Sequence, residues 1–354
     1  MKQPLQDKIP PVYHPFFEPV LGLEFPEESI ATCENCTRCR SPRSPFLDTK
    51  CCDYHPHLAN YLAGGIFADT SWDFSVGRAR IREKISGRIG VTPYGIIPPA
   101  DYAVKRKALY QVEEGFHKAA RQEVESLLCP YYDAGSCSIW KYRENLCVTF
   151  FCSSVGGKAG DAFWQKLNDY LMLAERELTK YALLKLGWPP EAILMDSMWS
   201  KSLRAEKDFG ETDEDKYAKL WRHWAGKEEA FYTACFEVVQ GLSQQEFRRI
   251  TGQDREILEA ALANTQKTFM ESVVPDYLLL HPDIQIVQQD GEKALLKLGA
   301  TEVEVSALLI PLLKAFNGRR HTKEIFDLSF QILLSPNGII QRLREKQMLI
   351  PVQP

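Results

Sequence analysis

Residues 129–152, CPYYDAGSCSIWKYRENLCVTFFC, contain four cysteines in one short run: Cys129, Cys137, Cys147 and Cys152. Gly135 can supply a turn between the segments that carry Cys129 and Cys137. Aromatic side chains in the same run would pack around the thiols and keep water away from them: Tyr131, Tyr132, Trp140, Tyr142, Phe150 and Phe151. The run therefore predicts a small, turn-rich unit built around its cysteines.

A second cysteine group precedes this run. It reads Cys33-x-x-Cys36-x-x-Cys39, followed after eleven residues by Cys51-Cys52. A C-x-x-C step puts two sulfurs on one tight turn, and thiolates suit both zinc and iron–sulfur clusters. Three cysteines at this spacing exceed a zinc-knuckle half-site. They approach the ferredoxin run, whose distant fourth cysteine is followed by proline, as Cys129 is here by Pro130.

The cysteines are distributed unevenly along the chain. Of ten, nine lie before residue 153. The tenth, Cys235, lies alone in the apolar stretch AFYTACFEVV and is expected to be a core residue. In a reducing compartment, clustered cysteines indicate metal ligands or redox groups more than disulfides. Nine thiols exceed the four that one tetrahedral centre needs. Two interpretations therefore remain: two metal centres, or one cluster together with a redox pair.

The cysteine pattern resembles a known family. The run CPYYDAGSCSIWKYRENLCVTFFC and the C-x-x-C-x-x-C…C-C group before it are similar to the bacterial cysteine-cluster family described as zinc- or iron-chelating (YkgJ-like), over roughly residues 30–155. A more distant likeness is to flagellin lysine N-methylases, which also carry dispersed cysteines. The family resemblance implies a metal-binding set of nine residues: Cys33, Cys36, Cys39, Cys51, Cys52, Cys129, Cys137, Cys147 and Cys152.

The composition of the chain argues against nucleic acid and membrane as partners. The 354 residues carry a net charge of -4, with 45% hydrophobic and 25% charged residues. No global basic field would draw the chain to nucleic acid or to an anionic membrane. The N-terminus lacks the apolar core of a signal peptide, and no apolar run is long enough to cross a bilayer. We therefore expect a cytoplasmic protein with reduced thiols, no membrane association and no nucleic-acid partner.

The pattern along the chain predicts an α+β, mostly helical fold in three parts. We expect a cysteine-cluster metal-binding domain at 1–157, a helical domain at 158–279 and a winged-helix-like domain at 280–354. The last resembles the small peptide-binding winged helices of peptide-modifying systems (PqqD-like), through EVSALLIPLLKAFNGRRHTKEIF and IIQRLREKQMLIP. That resemblance implies a peptide or protein substrate as partner.

Several elements follow from local signals. Residues 61–100 indicate short strands and turns, and residues 101–128 carry a helical apolar stripe. Helices are expected over 161–199, with an end at Gly187, and over 227–272, where Ser243 and Glu246 form a capping-box match. In the tail, we expect a hairpin over 283–297, an apolar helix over EVSALLIPLLKAFNG, a helix capped by Thr322, another helix after Ser335-Pro336, and a closing strand in MLIPV.

His55, His57 and Asp53 follow the first cysteine group directly. They are candidates for nitrogen ligands or for groups that hydrogen-bond to ligands, or they are ordinary loop residues. Three functions remain open. The cofactor could be an iron–sulfur cluster or iron in a redox or modifying enzyme that acts on a peptide or protein. It could be zinc in a non-enzymatic scaffold or metal-handling protein. A metal- or redox-responsive regulator is the weaker alternative.

Overall fold

The structure is a computed structural model that describes residues 2–28, 52, 54–106, 127–151, 154–193, 204–207, 211–288, 292–322, 324–325 and 337–352. Its fold is mixed α+β and mostly helical, as the sequence predicts. The described α-helices are α1 Glu18–Leu21, α2 Asn60–Ala68, α3 Ser75–Gly87, α4 Asn145–Thr149, α5 Lys158–Lys185, α6 Glu214–Trp221, α7 Glu228–Gln240, α8 Gln244–Glu271, α9 Ile310–Ala315 and α10 Asn337–Glu345.

The strands are short and belong to small antiparallel sheets. They are β1 Lys2–Pro4, β2 Glu24–Pro26, β3 Leu58–Ala59, β4 Val91–Thr92, β5 Gly95–Ile96, β6 Tyr132–Asp133, β7 Ser136–Cys137, β8 Tyr277–Leu280, β9 Gln285–Gln288, β10 Lys293–Leu298, β11 Thr301–Ser306, β12 Asn317–His321 and β13 Leu349–Pro351. Strands β1 and β2 pair with each other, and β5 lies between β3 and β4.

Helix pairs form the main core. Helix α2 packs against α7, and α5 packs along α8. The helices predicted over 161–199 and 227–272 are confirmed for the described residues, and the Ser243 side chain accepts a hydrogen bond from the Glu246 N–H at 3.1 Å. Cys235 is fully buried in this core, as expected. The apolar stripe at 101–128 falls mostly outside the described residues.

The expectation of strands and turns over residues 61–100 is wrong for most of that range. Helices α2 and α3 occupy 60–68 and 75–87, and only the stretch around β4 and β5 is extended. The cause is burial on all sides: residues 60–67 are all buried, so α2 shows no amphipathic period. Gly64 and Gly65 allow close helix packing where the sequence suggested turns.

The arm formed by residues 2–28 wraps the helical core. Its aromatic side chains are buried against α5 and α8: the Phe17 ring centroid lies 4.5 Å from that of Tyr170, and the Phe16 centroid lies 4.9 Å from that of Phe247. These contacts fix the course of the chain up to Glu28, where it enters the first cysteine group.

The C-terminal residues form a second hydrophobic cluster with two three-stranded sheets, in the orders β11-β10-β9 and β12-β8-β13. The predicted hairpin is present as β9 and β10, and helix α10 and strand β13 are where they were predicted. The helix predicted over EVSALLIPLLKAFNG is wrong at its start. Buried Val303 and Val305 alternate with exposed glutamates, and this two-residue alternation is typical of a strand, here β11. The helix is therefore limited to α9. A winged-helix arrangement remains a prediction.

Candidate metal centre

The nine cysteines divide into two sets. Cys52, Cys129, Cys137 and Cys147 are described and are thiols. Cys33, Cys36, Cys39, Cys51 and Cys152 lie outside the described residues. We define the described four as the thiol cluster.

The β6–β7 hairpin positions Cys137. Ala134 and Gly135 form its turn, with φ values of 41° and 87°. A two-residue turn between antiparallel strands of this kind requires two successive positive φ angles. The turn predicted at Gly135 is therefore confirmed. Cys137 pairs with Tyr132 in the hairpin, and the Tyr132 N–H donates to the Cys129 carbonyl at 3.0 Å. The hairpin therefore holds Cys129 and Cys137 in one unit.

Helix α4 positions Cys147. The Glu144 carboxylate caps this helix and accepts hydrogen bonds from the N–H groups of Leu146, at 3.0 Å, and Cys147, at 3.1 Å. Glu144 itself is buried. The cap fixes the first turn of a helix that would otherwise be too short to hold its shape.

Cys52 reaches the cluster from a distant part of the chain. Its carbonyl accepts a hydrogen bond from the Cys129 N–H at 2.5 Å. The first cysteine group thus ends beside the start of the second one.

The thiols of the cluster interact electrostatically. Burial raises the pKa of Cys129 to about 12, and the neighbouring Cys52 and Cys137 thiols contribute to the rise. Burial also raises the pKa of Cys147, with further contributions from Glu144, Cys129 and Cys137. These half-buried thiols therefore lie within electrostatic range of one another. Within the described ranges, no three His, Cys, Asp or Glu side chains are grouped closely enough to hold a metal ion.

Lys84 is a buried cation that contacts His55. Its ammonium donates to His55 Nε2 at 3.0 Å. Burial lowers the pKa of Lys84 to about 8, while Glu206 and Cys129 act in the opposite direction. Cys129 therefore lies within the electrostatic reach of this ammonium.

His55 is held as a neutral imidazole. Its Nδ1 is 3.1 Å from the Pro56 carbonyl, which can only accept, so Nδ1 carries the proton and Nε2 accepts from Lys84. Burial lowers the pKa of His55 to about 3, and the Lys84 charge contributes. Both ring nitrogens thus have protein partners, so the structure does not support His55 as a metal ligand.

The other candidates beside Cys52 are less informative. His57 stacks near Tyr54, with ring centroids 6.5 Å apart. Burial lowers the pKa of His57 to about 4, and the positive charge of Arg204 lowers it further. Asp53 lies outside the described residues.

Arg143 is a second cation beside the cluster. Its guanidinium donates to the Trp140 carbonyl at 2.9 Å and to the Cys147 carbonyl at 3.3 Å, and it stacks over the Trp140 ring at 3.3 Å from the centroid. Burial lowers the pKa of Arg143, whereas the Cys137 and Cys147 thiols act in the opposite direction. The guanidinium is therefore held by two carbonyls, one of them that of Cys147, and by a ring.

Sequence reasoning missed the role of these neighbours. Lys84 lies in SVGRARIREKISG, a charged helix in which nothing distinguishes it from its exposed neighbours. Arg143 belongs to the S-I-W-x-Y-R segment that carries the family resemblance, which was the available signal. Glu144 could have been found as a polar residue directly before a short helix.

Glu28 anchors the chain where the first cysteine group begins. Its Oε1 accepts from the Ser154 hydroxyl and from Trp164 Nε1, each at 2.6 Å, and its Oε2 accepts from the Val155 N–H at 2.8 Å. Glu28 is buried. Glu28, the last described residue before the first cysteine group, therefore lies next to Ser154 and Val155, and the next residue that the structure describes, Cys52, lies beside Cys129.

Glu28→Gln is expected to destabilise the fold by about 2 kcal/mol, because a hydrogen bond to a buried charged group is lost and a donor is left facing a donor. The indole N–H and the backbone N–H cannot rotate away, and each faces a different oxygen, so neither orientation of the amide avoids the conflict. Chemical denaturation measures the loss. Exposed Glu27 provides the control, since Glu27→Gln should change stability by less than about 0.5 kcal/mol. Equal stabilities would show that Glu28 is not an anchor.

Among the described helices, none is both long and apolar enough to cross a membrane. No protein-family model, curated protein or solved structure matches the chain, so its function has to be inferred from the chemistry of the site itself.

Proposed function

We propose that the chain binds a metal centre through cysteine thiolates. The ligands are drawn from Cys33, Cys36, Cys39, Cys51, Cys52, Cys129, Cys137, Cys147 and Cys152. The observation that carries the proposal is the convergence of the thiol cluster: the Cys129 N–H donates to the carbonyl of Cys52, which is distant in sequence, and the half-buried Cys129 and Cys147 thiols both interact electrostatically with Cys137. In a protein whose thiols stay reduced, as in the cytoplasm, such a group is suited to metal or redox chemistry.

The anchors on both sides of residues 29–51 support a common site. Glu28 is bound beside Ser154, and Cys52 is bound to Cys129. Four more cysteines belong to the intervening 29–51 stretch of sequence. The thiol cluster alone does not meet the geometry of an ion site, so the proposal requires ligands from this stretch or from Cys152.

The donor set fits a thiolate-held centre. Soft sulfur donors prefer zinc and iron–sulfur clusters over hard cations. Ionising a thiol in this region is costly, because burial raises the pKa of Cys129 and Cys147. A bound metal offsets that cost.

We propose an iron–sulfur or iron-dependent redox or modifying enzyme that acts on a peptide or protein. An iron–sulfur cluster would supply one-electron transfer. The chain's own residues would bury the centre and supply its sulfur ligands. The winged-helix-like C-terminal part, by its resemblance to peptide-binding domains, is the proposed holder of the peptide partner.

A non-enzymatic zinc scaffold is the second candidate, and the local structure favours it specifically. The described parts of the cysteine region contain two strands of two residues and one helix of five residues. Elements this short are not stable by themselves, and a structural metal would hold them together.

Metal and acid-labile sulfide content of anaerobically purified protein, together with its visible spectrum, separates the two candidates. Zinc is d¹⁰ and colourless, whereas cysteine-bound iron–sulfur clusters absorb visible light. Iron with sulfide and a visible band supports the redox enzyme. A colourless protein that contains zinc alone contradicts the redox function and supports the scaffold.

A further inference from the structure

A glutamate lies inside the main core, in the middle of helix α5. Glu175 is 3% exposed, and the residues one turn before and one turn after it, Leu171 and Leu178, are fully buried. Glutamate is almost never buried to this extent unless a cation pairs with it. Glu177, two residues later, has such a partner in Lys180, at 3.2 Å. In the part of the chain that the structure describes, no basic side chain forms an ion pair with Glu175.

One oxygen of the Glu175 carboxyl connects three other parts of the chain. Its Oε1 accepts a hydrogen bond from the Tyr13 hydroxyl, at 3.2 Å, and another from the Asn145 N–H, at 2.7 Å. The Tyr13 hydroxyl also lies 2.8 Å from the Tyr61 hydroxyl, which is the donor of this bond because the Tyr13 proton is directed at Glu175. The arm, helix α2 and the start of α4 therefore meet at a carboxyl group of α5.

The surroundings of Glu175 favour its protonated form. The titratable groups that face it from the packed elements are neutral or acidic: Tyr13, Tyr61, Tyr54 and Glu144. On α8, the buried Arg255 is bound to Glu259 at 2.6 Å, and Glu259 in turn accepts from Tyr170. A buried carboxylate without a cation takes up a proton rather than staying charged. Burial and the Glu144 charge accordingly raise the pKa of Glu175 well above the ordinary 4.5, while the hydrogen bonds from Asn145 and Tyr13 oppose the rise.

We propose that the Glu175 carboxyl is a pH-sensitive fastening of the arm, which holds Tyr13 against the core when protonated and releases the arm when it gives its proton to solvent. An ionised carboxylate regains hydration only if a packed segment moves away. The described elements of the arm are no longer than four residues, so the position of the arm depends on its contacts with the core. This device is independent of the proposed metal centre.

The direction of the pH dependence follows from the proton balance. The folded chain holds this proton more tightly than the unfolded chain does. The stabilisation is therefore complete below about pH 4.5 and is lost as the pH rises through the raised pKa. Within that window, ionisation of this one group should increase the equilibrium constant for unfolding by up to about tenfold per pH unit.

The first test is urea unfolding of the full-length chain between pH 5 and pH 9 (about the window of the proposed switch). Glu175→Gln resembles the protonated carboxyl and cannot ionise. The unfolding constant of the wild type, divided by that of Glu175→Gln, should rise about tenfold or more from pH 5 to pH 8. Glu175→Leu, which also cannot ionise, is a second variant in case the amide is not accommodated. Glu271→Gln, at an exposed end of α8, is the control and should follow the wild-type profile. A ratio that stays constant for both Glu175 variants overturns the proposal.

Trypsin cleavage after Lys8 reports on the arm itself. Ile9, on the other side of the cleaved bond, is 2% exposed, so the protease reaches this bond only when the arm leaves the core. At about pH 8, Glu175→Gln should be cleaved at Lys8 about tenfold more slowly than the wild type, because its fastening cannot ionise. Cleavage of Glu175→Gln at the wild-type rate would show that Glu175 does not control the arm.

Discussion

Cys147→Ala is expected to remove metal and thermal stability together. Cys147 is fixed in the first turn of α4 by the Glu144 cap and interacts with Cys129 and Cys137. Loss of one thiolate ligand should weaken metal binding by more than the roughly 100-fold that a supporting residue contributes. Because metal binding and folding are coupled in thiolate sites, the melting temperature should fall in parallel. Elemental analysis and thermal melting on the same sample measure both effects. Cys36→Ala should behave in the same way.

Cys235→Ala is the matched control for this loss. Cys235 is fully buried on α7 and belongs to the main hydrophobic core, so its replacement also removes a buried thiol. We expect a destabilisation of about 1 kcal/mol with full metal content. If Cys147→Ala kept its metal and melted like Cys235→Ala, Cys147 would not be a ligand.

Gly64→Ala is expected to destabilise the helical core strongly. A Cβ at Gly64 would lie 1.8 Å from the Tyr232 carbonyl oxygen and 2.9 Å from Phe236 Cβ. The obstacle is the backbone of α7, which cannot rotate away as a side chain can. Helices α2 and α7 must therefore separate, at a cost of about 3 kcal/mol or more. Urea denaturation of the purified variant measures this cost.

Gly22→Ala is the comparison for Gly64→Ala. A Cβ at Gly22 meets nothing within 4 Å, and the residue has φ -78°, which alanine adopts without strain. Its stability should stay within about 1 kcal/mol of the wild type. Equal effects at the two glycines would show that α2 and α7 do not approach as closely as the structure has them.

Local signals in the sequence predicted the elements that depend on local physics. The long apolar period of residues 161–187 corresponds to α5, and the Ser243–Glu246 cap begins α8 as expected. Gly135 supplies the turn between cysteine segments. In each case, a side-chain period, a cap or a positive φ decides the structure without help from distant residues.

Other features could not be predicted, because tertiary contacts decide them. Helix α2 is buried on every face, so its sequence lacks an amphipathic pattern. Its glycines resemble turn residues in the sequence, but in the structure they allow α7 to pack closely against α2. The helix expected from Glu304 onward is strand up to Ser306, because the alternation of Val303 and Val305 is short and directly precedes a true helix. The burial of Lys84 depends on His55, which is 29 residues away in the chain. A single sequence carries no mark of such a pair.

The metal content of the full-length chain, purified without oxygen and without added metal, tests the central claim most directly. The proposal predicts about one or two metal centres per chain that survive gel filtration and are lost to a strong chelator, with a fall in the melting temperature. A chain that is well folded, contains no metal and melts at the same temperature before and after chelation would contradict it.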